Sequence, residues 1–447
     1  MKKYKSYSTY KPSGVEWLGE IPLHWEVIRL KHICWRAANY GANESSESYL
    51  EEGVRFLRTT DIDEFGNLSS DGAVFLEPSK VADYKLDDGD ILISRSGTIG
   101  RSFLYSKDKH GECAFAGYLV RFSLREKQLP KFIFYFMKSR AFLDYLGISI
   151  IQSTIGNVNG QKYANMSLSI PPLTEQKYIV SFLDRESTRI DTLITKKREL
   201  INLLEKKRNA VIAHAVTKGL NSNASMTDSK IEWLGKIPEH WKITRLKFIS
   251  PQITVGIVVT PAKYYVDTGV PCLRSLNVKQ GKLIYADIVF ISSESNELHR
   301  KSMIFEGDLV VVRTGQPGAT AVVDKRFHGA NCIDLIIVRQ SPYFNSHYLS
   351  YLANSDFAQT QFELGSGGAI QQHFNVGTAA NLQVLAPPIV EQQEIVSFLD
   401  KKLSQMNNLI NKVQKSVNLL QQQRSALITA AVTGKIDVRE EVKRGTA

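Results

Sequence analysis

"VEWLGEIPLHWEVIRLKHI" occupies residues 15–33, and "IEWLGKIPEHWKITRLKFI" occupies residues 231–249; the two agree at 12 of 19 positions. Trp17 matches Trp233, Trp25 matches Trp241, and Arg29 with Lys31 match Arg245 with Lys247, each pair 216 residues apart. A second matching pair lies downstream at the same interval. "PPLTEQKYIVSFLD" at 171–184 and "PPIVEQQEIVSFLD" at 387–400 agree at 10 of 14 positions. Self-similarity at a fixed interval marks a duplicated structural unit. The chain is two copies of one unit, and its function must need that unit twice.

Between these blocks the copies drift. "DGDILISRSGTIG" (88–100) matches "EGDLVVVRTGQPG" (306–318) at an interval of 218, so small insertions shift the loops while the framework holds. "VRFLRTTDI", "DILISRSG" and "FAGYLVRFSL" predict short strands bounded by Gly and Asp. Residues 130–147, with Pro near the start and Gly after the end, predict one helix, with its counterpart at 344–365. Each variable part, about 140 residues long, is expected to be a mixed globule with its own core.

The stretch after each proline pair differs in kind, because its apolar residues recur at seven-residue spacing as in a coiled coil. In the first copy Ile179, Leu193 and Leu200 share one position, and Leu183, Ile190, Leu204 and Val211 share the other. In the second copy the same seam runs through Ile395 and Leu409, and through Leu399, Met406, Val413, Leu420 and Leu427. Breaks at Glu186, Lys197, Lys207, Lys402, Ser416 and Gln423 favour two imperfect helices covering each other over a self-pairing zipper. The first helix would span about 65 Å, and the polar linker at 218–230 reaches at most about 45 Å. The second domain is thus expected near the far end of that helix, with the second helix running back antiparallel. The predicted fold class is α+β: two pseudo-symmetric α/β domains separated by two long helices packed as an antiparallel coiled coil. The expected boundaries are 1–170 for the first domain, 171–220 for the first helix, 221–386 for the second domain, and 387–447 for the second helix and tail.

Composition narrows the function. With 43% apolar and 23% charged residues, the chain reads as folded. Its net charge of +11 points to a polyanionic partner. The four cysteines are scattered without a CxxC, which argues against a disulfide framework or zinc site and for reduced, buried thiols. The opening "MKKYKSYSTYKPSG" is charged without an apolar run, and no window reaches membrane-span length, so a cytoplasmic location is expected. No phosphate-binding loop is present. The proline pairs, in "IPPL" and "APPI", lack the preceding Asn or Asp and following aromatic that hold a flipped adenine in a methyltransferase. Catalysis by this chain is not expected.

The "EWLGEIPxHW" opening, the "GDIL(I/V)xRxG" segment, the "PPLxEQxxIVxFLD" entrance to a long helix and the "AVT(K/G)G"-like helix exit together resemble the specificity subunit of type I restriction-modification systems. The resemblance covers nearly the whole chain, in order and in two copies. It implies that each variable part is a target recognition domain for double-stranded DNA and each long helix a conserved spacer. It also implies two modification subunits that bind S-adenosylmethionine and methylate adenine, and restriction subunits that use ATP and Mg2+. No cofactor is implied for this chain itself. One departure is visible: the first helix exits through "AVTKGL" (215–220) and the second through "AVTGKI" (431–436).

Reading DNA bases requires donors and acceptors on polar loops, with Arg suited to guanine and Asn or Gln to adenine. Copy one offers Arg58, Thr59, Arg95, Ser96, Thr98 and Arg101, with Thr154, Asn157, Asn159 and Lys162 on the loop at 153–162. Copy two offers Arg274, Ser275, Arg313, Thr314 and Gln316, with Gln371, Gln372, His373 and Asn375 on the loop at 365–375. Arg95 and Arg313 hold equivalent places, so anchoring a turn or gripping phosphate competes with base reading. The two late loops differ between copies and are stronger candidates for sequence reading. His24 and His240 have no acid or thiol at a usable spacing and read as structural. The "KKR" clusters at 196–198 and 206–208 suit phosphate contact, a solvated face or a partner surface equally. The competing functional reading is a coiled-coil protein scaffold without DNA readout.

Overall fold

The computed structural model describes residues 4–151, 157–315, 317–365 and 375–445. The chain forms two compact units: Met1–Arg198 with Lys415–Ala447, and Glu199–Gln414. Both long helices, Leu173–Lys218 and Ile389–Val432, are divided between them. Each unit therefore holds one of the two variable domains, the start of the helix that follows it, and the end of the other helix.

In the first unit a four-stranded antiparallel sheet is ordered Asn39–Tyr40, Leu119–Phe122, Ile91–Ser94, Ser102–Leu104. A second sheet pairs Val54–Leu57 antiparallel with Val74–Leu76 and parallel with Cys113–Phe115. The second unit repeats the plan. Ile253–Val255, Leu335–Val338, Leu309–Val312 and Thr320–Val322 form one sheet, and Val270–Leu273 runs parallel to Asn331–Cys332 in the other. The runs "ILIS", "LVVV" and "LIIV" are buried at every residue, which explains why they show no polar alternation. All four cysteines are buried and unpaired.

The single helix expected at 130–147 is two, Pro130–Phe136 and Arg140–Ile151, and its counterpart is Ser346–Ala353 and Asp356–Gly365. A serine sits at each break. Ser139 Oγ donates to the Phe136 carbonyl at 2.6 Å, and Ser355 Oγ to the Leu352 carbonyl at 2.6 Å, which offers the backbone an alternative to its helical bond.

The helices pack antiparallel. In the first unit Ile179 and Leu183 share a core with Ile428, Ala431 and Val432, while Ile190 and Ile194 meet Val417 with Leu420 and Leu427. Residue number thus rises along one helix as it falls along the other. In the second unit Ala215 and Val216 share a core with Ile395, Leu399 and Leu403. The expected seam departs at Leu193, Leu200 and Leu409, which are 39%, 42% and 45% exposed. Ile194, Leu403, Val417 and Ile428 are buried in their place. A straight helix has 3.6 residues per turn, so a strict seven-residue stripe drifts off the contact face and the buried positions step by four or three.

The duplicated opening docks on these helices. Ile21, Trp25 and Leu30 are buried against the end of the second helix in the first unit. The last carbonyls of a helix have no partner within it. Ser169 Oγ donates to the Val432 carbonyl at 3.0 Å, and in the second unit Tyr348 Oη reaches the equivalent Val216 carbonyl at 3.4 Å. The departure at the helix exits resolves the same way. Gly219 and Gly434 both take left-handed backbone (φ +76° and +70°), and the swapped lysines still converge. Lys435 Nζ donates to the Glu20 carbonyl at 2.6 Å, and Lys218 Nζ donates to the carbonyl of Lys236, the residue matching Glu20.

Candidate nucleic-acid interface

Two sets of polar contacts stand out in each unit: a joint that repeats, and a rim that does not. The joint is built on the Glu-Gln pair after each proline pair. Glu175 accepts from Trp25 Nε1 at 3.1 Å and Tyr7 Oη at 2.5 Å, and bonds His24 Nε2 at 2.8 Å. Glu391 accepts from Trp241 Nε1 at 3.0 Å and bonds His240 Nε2 at 2.9 Å. Burial, with Glu175 alongside, pushes the Tyr7 hydroxyl well above its usual range. Gln176 and Gln392 each donate to the first proline's carbonyl at 2.9 Å. Each also accepts from the backbone N–H that opens the helix pair of the variable domain, Leu129 at 3.0 Å and Asn345 at 2.9 Å. Each histidine thus braces the joint on an acid partner that sequence spacing did not find. Their acid partner lies 151 residues away in sequence, which is why local spacing missed it.

The aspartate of the "GD" segment is likewise structural. Asp90 is buried, accepts from Ser123 Oγ and from the Asp87 N–H at 2.9 Å, and pairs with Arg36 at 3.3 Å. Burial pushes its carboxyl upward despite these donors. Asp308 is held by Arg339 Nη1 at 2.6 Å and by the backbone N–H of Phe305 and Gln340. These anchors fix the strands from which the rim loops leave.

In the first domain three loops meet at one rim. The Arg95 N–H donates to the Tyr118 carbonyl at 3.0 Å, and the Arg95 carbonyl accepts from the Val158 N–H at 3.1 Å. The Ala116 N–H donates to the Leu57 carbonyl at 2.9 Å, which brings Arg58 alongside. The Arg95 guanidinium lies 4.7 Å over the Tyr40 ring, and Tyr40 Oη accepts from the Gly160 N–H at 2.9 Å. Arg95 Nε and Thr98 Oγ1 are buried without a hydrogen-bond partner. An orphaned buried donor costs about 1–3 kcal/mol and calls for an explanation. Tyr118 is 63% exposed on the same rim.

Other predicted contacts have internal work. Arg58 pairs with Asp61 through Nε at 3.1 Å and Nη2 at 2.7 Å, and Nη2 also donates to the Gly72 carbonyl at 2.7 Å. The hydrogen-bonded Asp61 holds that guanidinium above its ordinary pKa. Arg101 Nη1 donates to the Ile62 carbonyl at 2.8 Å. Lys162 Nζ donates to the Ser149 carbonyl at 2.8 Å. Asn159 and Asn375 are 216 residues apart, and each caps a short helix, its Oδ1 accepting from the N–H of Lys162 or Thr378 at 2.9 Å. Thr59, Ser96 and Asn157 are half-buried on the first rim. Thr154, Gln316, Gln371, Gln372 and His373 lie outside the described residues.

In the second domain the rim is wired differently. Arg313 Nη1 pairs with Asp334 Oδ1 at 2.5 Å, and Thr314 Oγ1 donates to Asp334 Oδ2 at 3.3 Å. Asp334 takes left-handed backbone (φ +51°), a conformation that short polar side chains tolerate best after glycine. The Ile333 N–H donates to the Leu273 carbonyl at 2.8 Å, placing Arg274 and Ser275 at the same rim. Asn277 stands where Asp61 stands in the first domain. It accepts from the Arg274 N–H at 2.9 Å and donates to the carbonyls of Ile284 and Ala286 at 3.2 and 2.8 Å. The Arg274 guanidinium donates to the Asp287 carbonyl and makes no ion pair among the described residues; its Nε is buried without a partner. Val258 and Val259 are exposed beside this rim. Sequence reading missed Tyr40, Tyr118 and Asp334 because no spacing ties them to the arginines they serve.

Comparison with known proteins places this geometry. The model of the type I restriction modification DNA specificity domain matches residues 22–203 and again 238–419. The type I restriction enzyme MjaVIII specificity subunit of Methanocaldococcus jannaschii is 22% identical, over 98% of each chain. The EcoKI specificity subunit of Escherichia coli is 24% identical over 90% of this chain and 86% of its own. A chain solved in work on complex assembly and conformational transition of the type I R-M system superposes with a TM-score of 0.71 at 16% identity, covering 93% of this chain and 99% of that one. No helix among the described residues is long and apolar enough to cross a membrane.

Proposed function

This chain belongs to the type I restriction modification DNA specificity family, and from that premise we infer that it is the non-catalytic DNA-reading subunit of a type I restriction-modification complex. Residues 1–170 and 221–386 each read one half of an asymmetric, bipartite DNA target. Residues 171–220 and 387–447 supply the helices that set the gap and seat two modification subunits. Two readers on one chain suit two half-sites on one duplex, as the paired readers of dimeric repressors do. S-adenosylmethionine acts in the modification subunits, and ATP with Mg2+ in the restriction subunits, within a cytoplasmic complex.

The observation that supports this reading is the contrast within the duplication. The Trp, His and Gln contacts of the joint repeat at 216 residues, whereas the rims carry different charge wiring. A scaffold has no need of two unlike rims. The complex with modification subunits should protect two short blocks on one duplex, and log K should fall with log salt by about 0.9 per phosphate contacted. One continuous footprint, or binding indifferent to salt, would count against DNA reading and for the scaffold.

A further inference from the structure

The rims place one arginine each at two matching positions, and the two domains neutralise opposite members. At the first position the Arg58 guanidinium is paired with Asp61, whereas the uncharged Asn277 at the matching place bonds only the Arg274 backbone N–H and the Arg274 guanidinium donates to the Asp287 carbonyl. At the second, Arg95 lies on the Tyr40 ring with no ion pair among the described residues, whereas Arg313 is paired with Asp334. Among the described residues, the arginine Nε atoms buried without a hydrogen-bond partner are those of Arg95 and Arg274, the two uncompensated arginines.

We propose that Arg95 in the first domain and Arg274 in the second are the rim arginines that touch DNA, and that Arg58 and Arg313 are scaffold. This rests on the DNA-reading assignment above and adds to it the residues and their non-equivalence. Counterion release follows net positive charge. A guanidinium already held by a carboxylate brings little net charge to a phosphate, and its donors are occupied. Asp334 would also repel a phosphate approaching Arg313. Arg95, by contrast, is half-buried, oriented by an aromatic face, and faces no carboxylate among the described residues. Tyr40 is in turn fixed by the Gly160 N–H, so the guanidinium is held in place before DNA arrives. The two halves therefore grip DNA through different loops, 95–101 in one and 274–277 in the other.

The test uses the full chain in complex with its modification subunits, and a pool of duplexes with randomised sequence. Affinity is measured across a salt series, bound sequences are recovered, and the thermal midpoint is recorded for each variant. Arg95→Gln and Arg274→Gln should each weaken binding about 10-fold and lower the salt slope by about 0.9, with the Arg95→Gln midpoint near wild type and a modest midpoint loss for Arg274→Gln, which gives up its bond to the Asp287 carbonyl. Arg95→Lys and Arg274→Lys should restore the slope. Arg58→Gln and Arg313→Gln should lower the midpoint and leave the slope unchanged. The proposal is overturned if the first pair bind with the wild-type slope and sequence preference, or if the second pair lose the same slope. A wild-type complex showing no salt-dependent, sequence-selective binding would instead overturn the DNA-reading assignment itself.

Discussion

The two units differ least where chain meets helix and most at the rim. Trp25 and Trp241 reach matching glutamates, Gln176 and Gln392 matching pairs of backbone atoms, and Tyr135 and Tyr351 the matching aspartates Asp184 and Asp400. The rim arginines, by contrast, exchange partners. After duplication, then, the contacts that hold a domain in place were kept, while those facing outward diverged. The few differences inside the joint carry information too: Glu175 receives Tyr7 as a further donor and its side chain is 7% exposed, against 20% for Glu391.

That asymmetry sets the largest expected effect. Glu175→Ala strands three donors in a buried site and should lower the first unit's stability by about 3–5 kcal/mol, against about 1–3 kcal/mol for Glu391→Ala in the second. Denaturant unfolding with a probe in each unit measures the gap, and equal losses would erase the distinction. The rim comparison is sharpened by removing its acids. Asp61→Asn and Asp334→Asn should each cost about 1–3 kcal/mol and release a guanidinium, steepening the salt slope of DNA binding by about 0.9. Asn277→Asp is not the mirror experiment. It sets a carboxylate against the carbonyls of Ile284 and Ala286, so destabilisation should accompany any loss of slope.

Smaller effects probe the packing of the first domain beside its helices. Lys138 donates to the carbonyls of Ser102 and Glu64, and burial pushes its ammonium down to about 7 from an ordinary 10.5. Between those values the unfolded chain holds a proton that the folded chain has released, so stability should rise as pH climbs from 7 to 10.5 and stay level below 7. Lys138→Met should flatten that rise, by on the order of 1 kcal/mol given its partly open setting; equilibrium unfolding across pH reads it. Arg424 pairs with Asp191 at 2.9 Å, while their counterparts in the second unit are Arg208 and Asn407. Asp191→Asn should therefore cost no more than about 1 kcal/mol by denaturant midpoint.

The duplication, the long helices and the strand runs were legible in the sequence because burial imposes periodicity and copying imposes an interval. The helix break at Ser139 was not, since the apolar pattern continues across it and a single serine marks the place. The seam was half legible: Ile179 and Leu183 hold, whereas Leu193 faces outward because the helix winds at 3.6 and not 3.5 residues per turn. At the rim, residue type pointed to arginines but could not rank them. Ranking depended on Asp61, Asn277, Asp334 and Tyr40, whose partnerships exist only once the sheets have formed.

The lysines that meet the Glu20 and Lys236 carbonyls, and the hydroxyls that meet Val432 and Val216, reach matching backbone atoms from non-matching positions. A backbone carbonyl is the same whatever side chain its residue bears. A socket built from such atoms accepts any plug of the right shape. Recognition domains of unrelated target preference should thus be exchangeable on these helices, provided each brings its own His-Trp dipeptide for the glutamate.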